Sequence, residues 1–167
     1  MGFSRQDLSP TVTHSLRRLL HELGGTFSHE HLRGYIERWR GKPLRLEEDT
    51  MPPGMTGYAI ALRDCDLIAT RRGLTKTQKK ITQLHEMAHF INGDLPLYSH
   101  GEATAGYRQF LRQQQRHNDV TSRQRFFDTF DDMVERNAET LARILANIIT
   151  AHAQNESLVL SDLLEGD

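Results

Sequence analysis

Cysteine is almost absent from this chain: Cys65 is the only one in 167 residues. A single cysteine excludes an intrachain disulfide and fits a reducing compartment. Cys65 itself reads as a small strand residue rather than a reactive thiol. Long hydrophobic runs are missing as well. Nothing approaches the roughly 20 apolar residues needed to cross a bilayer, and the polar amino terminus lacks a signal-peptide core. The expectation is a cytoplasmic protein with no membrane contact. Neither sign of charge dominates: the net charge is −1, which leaves no electrostatic footprint for direct nucleic-acid binding. The basic run of Arg71, Arg72, Lys76, Lys79 and Lys80 reads as a solvated helix face. Repeats and low-complexity segments are absent too.

What remains is a globular balance of 37% hydrophobic and 26% charged residues. The length suits a single domain over residues 1–167 with a core able to stand alone. Ser9-Pro10 looks like an N-cap with proline at the first helical position. Val12, Leu16, Leu19, Leu20 and Leu23 continue it as a helical stripe up to Gly24-Gly25. Ser28 caps a second helix through Tyr35, Ile36 and Trp39, stopped near Gly41-Lys42-Pro43. Residues 1–42 thus read as packing helices. Their histidines (His14, His21, His29, His31) converge on no common point and read as surface residues.

From Pro43 the period changes. Leu44-Arg45-Leu46 reads as a short strand and Met51-Pro52-Pro53-Gly54 as a loop. Tyr58–Leu62 and Asp66–Thr70 form a hairpin around Arg63-Asp64-Cys65. The fold class is therefore α+β: mainly helical, with a small antiparallel sheet of about three strands.

The segment that follows carries the chemistry. His85-Glu86-Met87-Ala88-His89 is an H-E-x-x-H pattern. On a helix, residues four apart share a face, so the two imidazoles can aim at one point and hold a zinc ion with an open position for water. Glu86 projects to the side of the pair, where a carboxylate can act as general base. With nine histidines and eleven glutamates in the chain, the bare pattern arises by chance in about one chain in thirty of this composition. Its surroundings raise its weight. Ile81, Leu84, Ala88 and Ile91 recur at helical spacing and predict a core-facing helix. Thr75-Lys76-Thr77-Gln78 fits a capping box, and Asn92-Gly93 supplies a stop.

Two histidines do not complete a catalytic metal site. After a polar stretch from Asp94 to Asn118, in which Ala103–Gln115 is a candidate helix, a strong helical pattern begins near Ser122. It runs through Phe126, Phe127, Phe130, Met133, Val134, Ala138, Leu141, Ile144, Leu145, Ile148 and Ile149. Glu135 and Glu139 lie four apart at the margin of its apolar stripe, and this helix is expected to supply the third ligand. The tail from Asn155 reads as a short docked helix or a frayed end.

Glu135-x-x-Ala138, followed by Leu141-Ala142 and Ile144-Leu145, resembles the E-x-x-A-N-x-F-A-x-x-L-L block of the ImmA/IrrE-type metallopeptidases. The likeness covers roughly residues 55–93 and 130–150, with both motifs in the family's order. It implies a zincin-like, gluzincin-type fold. His85, His89 and Glu135 would be ligands of Zn2+, or of Mn2+ in the cell, and Glu86 the catalytic base. The family's Asn falls at Glu139, which would hydrogen-bond the outer nitrogen of a zinc histidine; its Phe is Leu141. The gap between His89 and Glu135 is longer than usual in the family. It makes residues 94–125 an insertion and leaves Asp94, His100, Glu102, Asp128, Asp131 and Asp132 as rival ligands.

The resemblance implies a metallo-endopeptidase that cuts a cognate DNA-binding repressor of the helix-turn-helix type and so relieves repression. The insertion and the amino-terminal helices would be the surfaces that recognise it. The alternative is a protein of the same fold that sequesters a repressor or other partner without cutting it. A peptidase acting on short unrelated peptides is a third reading. Tyr98, His100, Tyr107 and His117 are possible oxyanion donors, none of which is singled out. The oligomeric state has no signature in the sequence.

Overall fold

The computed structural model describes residues 8–51, 53–62, 64–94 and 132–154. Helix α1 (Pro10–Leu23) begins as its sequence dictates: the Ser9 side chain accepts from the Val12 N–H, and Pro10 occupies the first turn. Gly24 ends it at φ 77°. Helix α2 (His29–Arg40) opens with a capping box in which histidine replaces the usual acid or amide. Ser28 Oγ accepts from the His31 N–H, and the Ser28 N–H donates to His31 Nδ1. Gly41, in the left-handed conformation, closes it.

Three strands follow: β1 (Leu44–Asp49), β2 (Gly57–Ala61) and β3 (Asp66–Arg71). The expected hairpin is present, with β2 antiparallel to β3 and Tyr58 opposite Ala69. The sheet as a whole is not antiparallel, however. Its order is β1-β3-β2, and β1 pairs parallel to β3, Leu44 opposite Asp66. The reason is positional. The last strand of the three inserts between the other two, so it meets one neighbour in each sense. Burial follows from that place: the five residues Asp66–Thr70 of central β3 are all buried, whereas edge strand β1 is mostly half-buried or exposed. Cys65 lies in the β2–β3 connection rather than in a strand. It is half-buried, and its carbonyl accepts from the Leu62 N–H.

Buried Asp66 anchors the start of β3. Arg40 grips it bidentately (2.7 and 3.0 Å), Lys42 Nζ lies 3.1 Å away, and the Arg40 guanidinium also covers the Phe90 ring. This fixes the carboxyl end of α2 to the sheet.

Helix α3 (Lys76–Asn92) starts from the predicted Thr75/Gln78 capping box and stops at Gly93, φ 77°. Helix α4 (Asp132–Ala153) packs along it. The main core joins Val12, Leu16 and Leu19 of α1, Leu32 and Ile36 of α2, Met87, Phe90 and Ile91 of α3, and Leu141, Leu145 and Ile148 of α4. Leu44 and Ile68 contribute one sheet face. On the other face Leu67 and Ala69 pack with Tyr58, Ile60, Met51 and Met55, Met51 coming from the predicted loop and Met55 from just after it. Three apolar residues assigned to buried stripes stand exposed: Ile81 and Met133 at 59% and Trp39 at 44%. Met133 and Trp39 lie in the terminal turns of their helices, and Ile81 lines a surface groove with Leu84, Ala142 and Ala146 rather than entering the core. The insertion from residue 95, the Phe126, Phe127 and Phe130 positions, and the tail from Asn155 lie outside the described residues. Among the described residues no helix is long and apolar enough to cross a membrane.

Candidate metal centre

The site forms where α3 and α4 lie side by side in opposite senses. Four-residue spacing on each helix produces two pairs, His85/His89 on α3 and Glu135/Glu139 on α4. His89 faces Glu135 and His85 faces both glutamates. Small residues at the contact, Ala88 on α3 and Ala138 and Ala142 on α4, are buried.

The nitrogens sort cleanly. His85 Nε2 is 3.3 Å from Glu135 Oε2, and His89 Nε2 is 3.5 Å from Glu135 Oε1. The rings are nearly perpendicular, at 84° with centroids 4.9 Å apart. The outer nitrogens each meet a different carboxylate. His89 Nδ1 is 3.1 Å from Asp94 Oδ2, and His85 Nδ1 is 3.4 Å from Glu139 Oε2. Glu139 in turn accepts from Arg143 Nε at 2.9 Å.

This donor set fits a metal. One donor atom from each of His85, His89 and Glu135 lies within 4.8 Å of the others. A tetrahedral ion with arms of about 2.0–2.1 Å requires ligand–ligand edges of about 3.3–3.4 Å. The two His–Glu135 separations, 3.3 and 3.5 Å, lie near that edge and run to the two different carboxylate oxygens, Oε2 and Oε1. They are also longer than a strong charge-assisted hydrogen bond, which runs about 2.7–2.9 Å. Two imidazoles and a carboxylate, with the imidazoles oriented by carboxylates behind them, are a donor set suited to zinc.

Glu86 occupies the buried side of the pair, only 8% exposed. Burial pushes its carboxyl pKa up; His89 and His85 pull the other way, and Glu135 adds to the rise. Contact with Glu135 raises the His85 pKa against the opposing effect of burial, and the same contact lowers that of Glu135.

Of the positions singled out from sequence, His85, Glu86, His89, Glu135 and Glu139 are brought together. Asp94 belongs to the site in a different role from the one expected. It was a rival third ligand, yet its carboxylate backs the outer nitrogen of His89. The signal was available in its place immediately beyond Gly93, where the chain turns back and the Asp94 N–H donates to the His89 carbonyl. His100, Glu102, Asp128, Asp131, the side chain of Asp132, and Tyr98, Tyr107 and His117 lie outside the described residues. Of the four amino-terminal histidines, His14, His21 and His31 are exposed, and half-buried His29 contacts the Lys80 carbonyl at 3.3 Å.

Sequence reasoning missed Gly57. A Cβ added there would lie 2.4 Å from Thr82 Cγ2, 3.0 Å from the Ala69 carbonyl oxygen and 3.4 Å from Glu86 Oε1. The missing side chain lets the first residue of β2 sit against α3 beside the buried carboxylate. Searches of protein-family models, of curated proteins and of solved structures each returned no match for this chain.

Proposed function

We propose that this protein is a metal-dependent endopeptidase of the ImmA/IrrE type, acting in the cytoplasm on a helix-turn-helix repressor. The observation that carries the reading is Glu135 standing opposite both His85 Nε2 and His89 Nε2, with Glu86 buried alongside. His85, His89 and Glu135 would hold Zn2+ or Mn2+. Such an ion supplies Lewis acidity to water and to the scissile carbonyl.

The remaining work falls to the chain's own groups. Glu86, its pKa raised by burial, takes the proton of the attacking water and delivers it to the departing amine nitrogen. Asp94 and Glu139 hold the two imidazoles in the tautomer that leaves Nε2 free. Strand β2 is the outer strand whose first residue, Gly57, touches the Glu86 neighbourhood. Among the described residues its one strand neighbour is β3, and no strand lies on its outer side. An extended peptide added there by main-chain hydrogen bonds would pass beside Glu86.

The test is incubation of the purified chain with the repressor encoded beside its gene, with zinc or manganese. The expected outcome is discrete fragments with wild-type protein and none with Glu86→Gln, which still binds both metal and repressor. Binding without cleavage by the wild type would replace this reading with sequestration. Comparable cleavage of unrelated peptides would replace it with a general peptidase.

A further inference from the structure

A second concave site lies away from the metal centre, between α1 and α2. It is a groove of about 480 Å³, within the range of small-molecule sites. Arg17, Arg18 and Arg38 line it together with Tyr35 and Trp39. We propose that this groove binds a phosphate-bearing small molecule of nucleotide size.

Charge is the first argument. The three arginines and the single lining acid, Glu22, give the groove a net charge of +2 with its histidines, His14 and His21, neutral. The whole chain carries −1. A phosphate monoester brings about −1.5 to −2 and so matches the groove, where a lone carboxylate would leave it unbalanced. Arg17 and Arg38 are exposed and make no ion pair among the described residues. Their planar forks suit phosphate oxygens. Arg18 is tethered, one of its terminal nitrogens donating to the Ile91 carbonyl at the end of α3. Its Nε is buried with no partner among the described residues.

Shape is the second argument. Trp39 is 44% exposed, with the Arg18 guanidinium 4.7 Å from its ring centroid. The exposed part of this indole, beside two guanidinium groups that make no ion pair among the described residues, can stack a planar ring while they take its phosphate. Gly34 is consistent with this arrangement. Glycine inside a helix costs about 1 kcal/mol relative to alanine, yet its bare Cα leaves room for Arg38, whose Nη1 lies 3.3 Å from where a Cβ would stand. A nucleic-acid strand would need a basic track continuing beyond the groove, and the basic run near Lys76 belongs to a different element.

Trp39 is the chain's only tryptophan, so intrinsic fluorescence reports on this groove directly. The probe is adenosine 5′-monophosphate, with adenosine, inorganic phosphate and an oligoglutamate peptide as separate arms. The monophosphate is expected to change Trp39 emission saturably, with adenosine at least about tenfold weaker. An Arg17→Gln/Arg38→Gln variant, with circular dichroism unchanged, should weaken binding by about tenfold or more, the scale of a lost charged hydrogen bond. Should the double variant fold poorly, Arg38→Gln alone, followed by calorimetry, is expected to show the same direction. No saturable response at millimolar monophosphate overturns the proposal. So does a response unchanged in the variants, or oligoglutamate binding more tightly than the nucleotide.

Discussion

Asp94 Oδ2 lies 3.1 Å from His89 Nδ1, on the side of the ring opposite Glu135. Both side chains are nearly buried, at 10% and 7% exposed, so water competes little for this contact. Asp94→Ala is therefore expected to lower metal affinity about 10–100-fold, the usual cost of removing such a partner. Glu139→Ala should cost less, because Glu139 is half-exposed and shares its carboxylate with Arg143. Calorimetric zinc titration of the two variants gives the ranking; equal losses would contradict it.

Gly57→Ala tests the contact between the sheet and the metal helix. Its new Cβ meets Thr82 Cγ2 and the Ala69 backbone oxygen, neither of which is the loose end of a long side chain. Overpacking of this kind costs about 1–3 kcal/mol. Urea denaturation should show that loss, and cleavage should fall further than stability explains, because Glu86 is displaced. A neutral substitution would mean that β2 is free to move away from α3.

The Asp66 cluster makes no contact with the proposed chemistry and should act on stability alone. Asp66→Ala leaves Arg40, 4% exposed, without its bidentate partner, and removes the carboxylate partner of Lys42, which keeps its hydrogen bond to the Leu62 carbonyl. Losing one side of a buried pair costs about 3–5 kcal/mol. In a chain of this size that lowers Tm by roughly 6–20 °C at about 2–4 °C per kcal/mol. Scanning calorimetry measures it, and metal stoichiometry in the folded variant should stay at the wild-type value.

His29 gives a pH dependence away from the metal. Burial lowers its pKa below the ordinary histidine value of 6.5, outweighing the hydrogen bond to the Lys80 carbonyl. The unfolded chain therefore takes up this proton first as pH falls below about 6.5. Stability should decline from there down to the lowered folded-state pKa, with no contribution from this group above about pH 6.5. Comparing urea midpoints at pH 7.5 and 5.5, wild type should lose more than His29→Gln. Parallel losses would assign the decline to other groups.

Local signals account for most of the elements. Ser9, Ser28 and Thr75 cap helices where the side-chain chemistry requires it, and Gly24, Gly41 and Gly93 end them, because both effects act over four residues. The pairing of His85 with His89 is local in the same way. Strand order was not legible: hairpin spacing joins β2 to β3 but says nothing of where β1 lies. Nor was the exposure of Ile81, since periodicity marks a helix face and not how closely the neighbouring helix packs on it.

By itself, then, the sequence determined the described helices, the hairpin and the His85/His89 pair with Glu86 beside it, all through interactions within a few residues. Only the tertiary structure decided that Glu135 reaches both histidines from 50 and 46 positions away in sequence, that Asp94 orients a ring instead of serving as a rival ligand, and that Gly57 lies beside Glu86. Those relationships depend on how helices and strands pack against one another, and packing is set by the summed fit of the α3–α4 and α3–sheet interfaces, which no short stretch of chain encodes.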